Sequence, residues 1–222
     1  MNNLTLLIPA KNEEESLSFV LEELKKIKCK KLLIVTNISN KISILRNKYN
    51  CDVIVQKRRG YGSAIKEGIQ KIKTKYLCIF NADGSFDYKT LYEMYQIIKT
   101  DNKKFLFASR YERGGGSLDD TFLTYVGNMI FTFIGNFFFK LNLSDILFTY
   151  TMGVTKNFKE LNLKSNDFRL CVEIPIKILN KNFLIDTVPS FEKKRIAGKK
   201  NVNEFKDGFL ILSYLFSSFL KK

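Results

Sequence analysis

Strand and helix patterns alternate through the first half of the chain, and this alternation limits the fold more than any other feature. Short β-branched or leucine-rich runs predict strands over residues 4–8, 32–36, 53–55, 76–80 and 105–108. Three of the intervening segments repeat apolar residues at helical spacing. This order predicts an α/β fold with a mostly parallel central sheet flanked by helices. Ligands of such sheets bind beyond the carboxyl ends of the strands.

The second half of the chain contains a long segment without charge. Residues 121–139 carry no charged side chain over 19 positions, which is long enough to cross a membrane. A polar stripe recurs every four residues within this segment, at Thr124, Asn128, Thr132 and Asn136. The stripe favours a half-buried or interfacial helix over a membrane span.

The remaining patterns complete one domain and add a short apolar end. A helix is predicted over residues 166–179 and a strand over residues 183–185. Residues 208–220 are apolar over 13 positions, too few to cross a bilayer comfortably but enough to lie in its interface. We therefore expect a domain over residues 1–205 and an apolar, membrane-interfacial helix over residues 206–222.

Charge and composition narrow the function. Lysine and arginine outnumber aspartate and glutamate by 37 to 22, a formal net charge of +15 that implies an anionic partner. Nucleic acid is disfavoured because the chain lacks a recognition helix and the aromatic signature of an RNA-binding sheet. The absence of histidine excludes mechanisms with a histidine base. Four scattered cysteines and no secretory leader predict a reduced, cytoplasmic protein without a zinc site.

The segment after the first predicted strand is acidic. It reads PAKNE at residues 9–13, and its acids fall where the next helix has the positive end of its dipole. Helix capping alone explains this pattern. A functional interpretation instead places Lys11 and Glu13 beside a ligand at the edge of the sheet.

Two further segments follow the third and fourth strands. Gly60 and Gly62 begin a helix directly after the cationic residues 57–59. Glycines next to the free N–H groups of a helix start can bind an anion, although a plain turn is the simpler interpretation. Asn81 and Asp83 directly follow the fourth strand. Oxygen-bearing side chains at this spacing can reach a hard divalent cation, whose other ligands are diphosphate oxygens. A turn favoured by asparagine, aspartate and glycine is the alternative.

These segments, taken in order, carry a resemblance to a known family. They are IPAKNEE at residues 8–14, the GYGSA glycine pattern at 60–64, the NAD triplet at 81–83 and SRY at 109–111, with Asp145, Glu173 and a basic loop from Arg195 as further marks. The chain resembles family 2 glycosyltransferases of the GT-A fold over roughly residues 3–205. Within that family it is most similar to the dolichyl-phosphate mannosyltransferase and polyprenyl-phosphate glycosyltransferase branch.

The resemblance implies a site for a nucleotide-diphosphate sugar. Asp83, helped by Asn81, would hold Mg²⁺ or Mn²⁺ against the donor diphosphate, and Gly60 and Gly62 would shape the floor beneath the nucleoside. Arg110 and the basic loop would neutralise phosphate. The expected donor-binding residues are Pro9, Ala10, Lys11, Glu13, Arg58, Gly60, Gly62, Asn81, Ala82, Lys199 and Lys200, and the expected catalytic residues are Asp83, Arg110, Asp145 and Arg195.

The resemblance also implies the reaction, an inverting sugar transfer to an acceptor. A polyprenyl or dolichyl phosphate at the cytoplasmic face of a membrane is the expected acceptor, because its ionised oxygen needs no general base. A saccharide hydroxyl would require a carboxylate, Asp145 or Glu173. A non-catalytic sugar-nucleotide binder is a further alternative, since Asn81 stands where the family has an aspartate. Peripheral membrane contact is expected, and a homo-oligomer is compatible with the sequence.

Overall fold

Apolar runs form a central sheet in the computed structural model, which describes residues 1–197 and 202–220. Its strands are β1 (Leu4–Ala10), β2 (Lys30–Val35), β3 (Asp52–Val55), β4 (Tyr76–Ile79), β5 (Lys104–Ser109), β7 (Thr151–Val154) and β8 (Leu184–Pro189), and a separate two-stranded ribbon joins β6 (Gly116–Ser117) to β9 (Phe191–Glu192). The order across the sheet is β3-β2-β1-β4-β7-β5-β8. Among the strands that the structure describes, β7 alone is antiparallel to its neighbours.

Helices cover both faces of this sheet. They are α1 (Glu14–Glu23), α2 (Asn40–Tyr49), α3 (Tyr61–Lys71), α4 (Lys89–Thr100), α5 (Phe122–Phe139), α6 (Thr155–Glu160), α7 (Leu170–Asn180) and α8 (Glu204–Phe219). Alternate residues of β1 enter two separate hydrophobic clusters, Leu6 and Ile8 on one face and Leu7 on the other. The side-chain period of a strand explains this division. The predicted α/β fold with a mostly parallel central sheet is confirmed.

The predicted elements lie close to the observed ones, and the structure adds five short elements, among them the ribbon strands β6 and β9. The long uncharged segment forms α5, and the predicted helix over residues 166–179 is α7, which begins four residues later. The strand predicted over residues 183–185 is the start of β8. Helices α2 and α6 and strand β7 were not predicted, because their apolar patterns are short.

Helix α5 turns its polar stripe inward and its aromatic side outward. Asn128 and Thr132 are buried, whereas Phe133 and Phe137 are 67% and 68% exposed. Among the described residues, α5 is the one helix long and apolar enough by length and composition to cross a membrane. It packs against α8, whose Ile211 joins the hydrophobic core.

Candidate functional site

The carboxyl ends of four strands meet at one edge of the sheet. Strands β1 and β4 are parallel, as are β5 and β8, and the antiparallel β7 between the two pairs gives all four the same direction. The segments that leave this edge therefore bring Glu13, Asp83, Arg110 and Arg195 to one side of the molecule. This is the placement expected for a ligand site in an open α/β sheet.

Asp83 lies in the turn after β4 and is almost fully buried. Its Oδ1 atom accepts hydrogen bonds from the backbone N of Ser85 at 3.0 Å and from the Ser85 hydroxyl at 2.7 Å. Its Oδ2 atom lies 3.6 Å from Nη2 of Arg195. One oxygen is thus held by the turn, and the other faces a cationic group.

Glu13 belongs to the same electrostatic environment. Burial, and then the negative charge of Asp83, raise the pKa of Glu13 to about 7, while Arg195 opposes the rise. A carboxyl group with such a pKa loses its proton far more readily when a cation arrives nearby. Glu13 therefore responds to the charge state of the turn that carries Asp83.

A segment after β9, residues 193–197, crosses this turn, and we name it the clasp. Its backbone donates from Lys193 N to the carbonyl of Ser85 at 2.8 Å and from Ile196 N to the carbonyl of Asp83 at 2.9 Å. Gly84 has a φ of +83°, and a Cβ there would lie 2.4 Å from Cδ1 of Ile196. Glycine is required at this position both for the backbone conformation and for the approach of the clasp.

Arg110 is held by three carboxylates rather than directed at open space. Its Nε and Nη2 atoms bind the two oxygens of Asp145 at 2.7 and 3.0 Å, and its Nη1 atom lies 3.3 Å from Asp120 and 3.2 Å from Glu192. Burial disfavours the charged guanidinium, but Asp145 and Glu192 outweigh this and raise the pKa of Arg110. In this structure Arg110 thus joins loops through carboxylates, and its phosphate-neutralising role stays a prediction.

Asp145 and Glu173 are both occupied by hydrogen bonds. The Asp145 carboxylate receives Arg110 and also Nδ2 of Asn128 at 2.6 Å. Glu173 accepts from the backbone N of Lys164 and Ser165, each at 2.7 Å, and pairs with a lysine one helical turn away. These hydrogen bonds engage oxygens of both carboxylates in this structure, and the proton-accepting role of either residue stays a prediction.

The two glycines at the start of α3 admit a neighbouring loop. A Cβ at Gly60 would lie 2.1 Å from the carbonyl oxygen of Asn166, and one at Gly62 would lie 2.5 Å from that of Ser165. The glycines therefore allow close packing against residues 165–167, instead of forming an open floor. The exposed Arg58 lines a cavity of about 340 Å³ that Asp83 and Arg195 do not line.

The other predicted donor-binding residues divide by position. Pro9 and Ala10 end β1, and Lys11 is exposed beyond it. Asn81 and the buried Ala82 begin the turn that carries Asp83. The remaining predicted pair, Lys199 and Lys200, lies outside the described residues.

Asp119 is a site residue that was not predicted. Its Oδ2 atom lies 3.2 Å from Nη2 of Arg195, the same nitrogen that faces Asp83. Asp119 and Asp120 are the only acidic residues between positions 113 and 144, directly before the uncharged segment. That isolation was the signal available in the sequence.

The donor chemistry at Asp83 fits a hard divalent cation. The side chains at the turn and beside it offer oxygen ligands, the amide of Asn81 and the carboxylates of Asp83 and Glu13, and a guanidinium already lies against Asp83. Within the described parts of the chain, no three acidic or cysteine side chains form a complete metal cluster. A cation here would need further oxygen ligands from a bound substrate.

Comparisons with known proteins concern the sequence and the fold. The model of glycosyl transferase family 2 matches residues 5–161. Uncharacterized glycosyltransferases of Mycobacterium tuberculosis and Mycobacterium bovis are 32% identical over 83 residues, which is 37% of this chain and 38% of each relative. The match thus spans less than half the length of these relatives.

Solved structures share the fold at low sequence identity. Mannosyl-3-phosphoglycerate synthase from Rubrobacter xylanophilus has a TM-score of 0.74 at 13% identity, covering 98% of this chain and 74% of that one. Glucosyl-3-phosphoglycerate synthase from Mycobacterium tuberculosis, in complex with Mn²⁺, UDP and glucosyl-3-phosphoglycerate, has a TM-score of 0.72 at 11% identity, covering 96% and 78%. These similarities concern the fold.

Proposed function

The chain belongs to glycosyl transferase family 2, and on that premise we propose that it moves a sugar from a nucleotide-diphosphate donor to an acceptor, inverting the anomeric carbon. The observation that carries the proposal is the position of Asp83, at the carboxyl end of β4 beside Glu13 and Arg195. The similar glucosyl-3-phosphoglycerate synthase holds Mn²⁺ and UDP in its crystal structure. The oxygen ligands and the charge of the turn that carries Asp83 suit both of these ligands.

The main barrier of such a transfer is the charge that develops on the leaving diphosphate. Asp83 and Asn81 would hold Mg²⁺ or Mn²⁺, which supplies positive charge to the diphosphate oxygens when bound. Arg195, in the clasp, adds a second positive charge at the same place. Glu13, whose pKa burial and Asp83 raise to about 7, would lose its proton more readily beside such a cation, and its carboxylate would then balance the added charge.

We propose a lipid phosphate, of the polyprenyl or dolichyl type, as the acceptor. Its phosphate oxygen is already ionised near neutral pH, so the transfer requires no proton acceptor. This agrees with the occupied oxygens of Asp145 and Glu173. A saccharide hydroxyl is less well supported for the same reason.

The apolar outer surface of α5 and α8 supports a lipid acceptor. Exposed aromatic and aliphatic side chains cover both helices, with Phe122, Phe133 and Phe137 on α5 and Phe205, Phe209 and Phe216 on α8 each at least 66% exposed. Large apolar side chains exposed in this number are typical of a membrane or partner contact. We name these six phenylalanines the aromatic face.

The position of α5 links this face to the site. Its N-cap, Thr121, directly follows Asp119 and Asp120, which contact Arg195 and Arg110. If a lipid lay along the aromatic face, its head group would therefore be near the clasp. The net charge of +15 favours an anionic bilayer surface, at about 1 kcal/mol per basic residue near it.

A transfer assay tests the donor and acceptor together. Labelled UDP-, GDP- and other nucleotide sugars are incubated with Mn²⁺ and with polyprenyl phosphate in vesicles, 3-phosphoglycerate or no acceptor. We expect labelled lipid for one donor, and a loss on the order of 100-fold in Asp83→Asn but not in the control Asp52→Asn, an exposed residue on β3. Transfer to 3-phosphoglycerate alone would contradict the lipid acceptor, and nucleotide binding without any transfer would indicate a non-catalytic binder.

Vesicle flotation tests the membrane contact separately. Full-length protein should float with vesicles that contain anionic lipid, and Phe133→Asn with Phe137→Asn should reduce the recovered fraction. The control Ile44→Asn changes an equally exposed side chain on α2 and should float like the unchanged protein. Equal recovery of the three proteins, or recovery independent of vesicles, would contradict docking through the aromatic face.

A further inference from the structure

Arg195 stands between two carboxylates that come from different loops. Its Nη2 atom lies 3.6 Å from Oδ2 of Asp83 and 3.2 Å from Oδ2 of Asp119, and its Nε atom lies 3.3 Å from the same Asp119 oxygen. The side chain of Arg195 is 20% exposed, and those of Asp83 and Asp119 are 9% and 11% exposed. At this depth the charges interact more strongly than on an open surface.

The backbone of the clasp fixes this guanidinium in place. Two backbone hydrogen bonds tie residues 193 and 196 to the turn after β4, and Ile196 packs on Gly84. Arg195 lies between these two anchored positions. Its positive charge is thus directed at the one oxygen of Asp83 that the turn itself leaves without a hydrogen bond from Ser85.

We propose that Arg195 acts as a resident cation that competes with the divalent metal for Asp83, and that Asp119 is the positioning residue that retains Arg195 when the metal binds. The inference rests on the proposed function for its metal requirement. Without metal, the guanidinium is shared by the two carboxylates. With metal, the Asp83 carboxylate would bind the ion, and Asp119 would keep Arg195 beside the diphosphate.

The competition follows from charge and position. A guanidinium and a divalent ion repel each other at short range, so both cannot use the same Asp83 oxygen. If Asp119 were absent, the released Arg195 would lose its remaining carboxylate partner at the moment the metal arrived. Asp119 therefore lowers the free energy of the metal-bound state through Arg195, without having to touch the ion.

This arrangement predicts opposite effects for the two partners of the ion pair. Arg195→Gln removes the competing cation, and we expect the dissociation constant for Mn²⁺ to fall by about fivefold, as for loss of a partly exposed charge pair. Asp119→Asn should raise it by about fivefold in the otherwise unchanged protein. In the Arg195→Gln background, Asp119→Asn should change it by less than about twofold, because there is no guanidinium left to retain.

The experiment measures Mn²⁺ alone, from the electron paramagnetic resonance signal of the free ion titrated into the full-length protein. The matched control is Lys194→Gln, which removes one positive charge from an exposed neighbour in the clasp and should leave the dissociation constant within about twofold. Thermal unfolding of each variant confirms that it is folded.

Each outcome has one meaning. If Arg195→Gln does not bind Mn²⁺ more tightly than Lys194→Gln does, the resident-cation role is wrong. If Asp119→Asn weakens binding equally with and without Arg195, Asp119 acts on the ion directly and the positioning role is wrong. If the unchanged protein binds no Mn²⁺ even with UDP, both this inference and the metal requirement of the proposed function are wrong. If the protein binds Mn²⁺ but transfers no sugar, the competition between Arg195 and the metal still holds, and only the proposed activity is wrong.

Discussion

Glu13 gives a pH dependence of stability that can be isolated by one substitution. Burial and the charge of Asp83 raise its pKa from 4.5 to about 7 in the folded protein. Between these two values the folded chain keeps a proton that the unfolded chain releases, so the free energy of unfolding falls as the pH rises through this window. Glu13→Gln removes the titrating group and should remove this part of the pH dependence.

The size of the effect follows from the pKa. A rise from 4.5 to about 7 corresponds to about 3 kcal/mol of unfavourable free energy for the ionised form. The side chain is half-buried, and solvent screening reduces this to about 2 kcal/mol. Glu13→Gln should therefore be about equal to the unchanged protein near pH 5 and about 2 kcal/mol more stable near pH 8.

Urea denaturation at several pH values, in EDTA to remove divalent ions, measures this difference. The matched control is Glu15→Gln, an exposed carboxylate in the first turn of α1, which should follow the unchanged protein at every pH. A constant difference between Glu13→Gln and the unchanged protein from about pH 5 to 8 would refute the argument, because it would show that neither burial nor the charge of Asp83 raises the pKa of Glu13.

Three further predictions test the packing around the site and the orientation of α5, each by chemical denaturation. Gly60→Ala should lower the free energy of unfolding by more than about 2 kcal/mol, because φ is +110° and the new Cβ would lie 2.1 Å from a backbone carbonyl oxygen. The control is Gly127→Ala, because the space around its Cβ position is open. This control should leave the free energy of unfolding unchanged or raise it by up to about 1 kcal/mol. Arg110→Met should cost about 3–5 kcal/mol, since it leaves Asp145 buried without its ion-pair partner; a cost below about 1 kcal/mol would contradict the buried network. Phe133→Asn should change stability by less than about 0.5 kcal/mol because the ring is exposed, and a large loss would show that this side of α5 is covered by the protein itself.

The sheet was predictable from sequence, except where its direction changes. Strands β1, β2, β4 and β5 are apolar runs separated by helices, and local pattern is sufficient to identify them. Strand β7 is four residues long and lies antiparallel between β4 and β5. Its position depends on Gly153, where a Cβ would lie 2.7 Å from a ring carbon of Phe105. That requirement belongs to packing between distant segments, which periodicity does not report.

The sequence indicated which segments carry the residues of the candidate site, but not which of these residues form ion pairs with one another. Glu13 and Asp83 follow strands that end at one edge of the sheet, and Arg195 follows β8 after the short ribbon strand β9, so their convergence follows from topology. The pairing of Arg195 with Asp119 depends on how the clasp and the loop before α5 approach each other. Arg195 and Asp119 are 76 residues apart in the sequence, and this separation does not indicate that the two side chains come into contact.

The orientation of α5 shows why a polar stripe alone does not tell which side of a helix is buried. The stripe meets a polar interior: Asn128 donates to Asp145 at 2.6 Å, and Asn136 exchanges two hydrogen bonds with the backbone of Leu143. A buried ion pair such as that of Asp145 is stable only when its remaining hydrogen-bonding capacity is satisfied. Because these partners must come from the inner side of α5, the exposed phenylalanines of this helix, Phe122, Phe133 and Phe137, are left on the outer side. The apolar surface is thus a consequence of the polar network beneath it, and a substitution that made the outer side polar would leave that network unchanged.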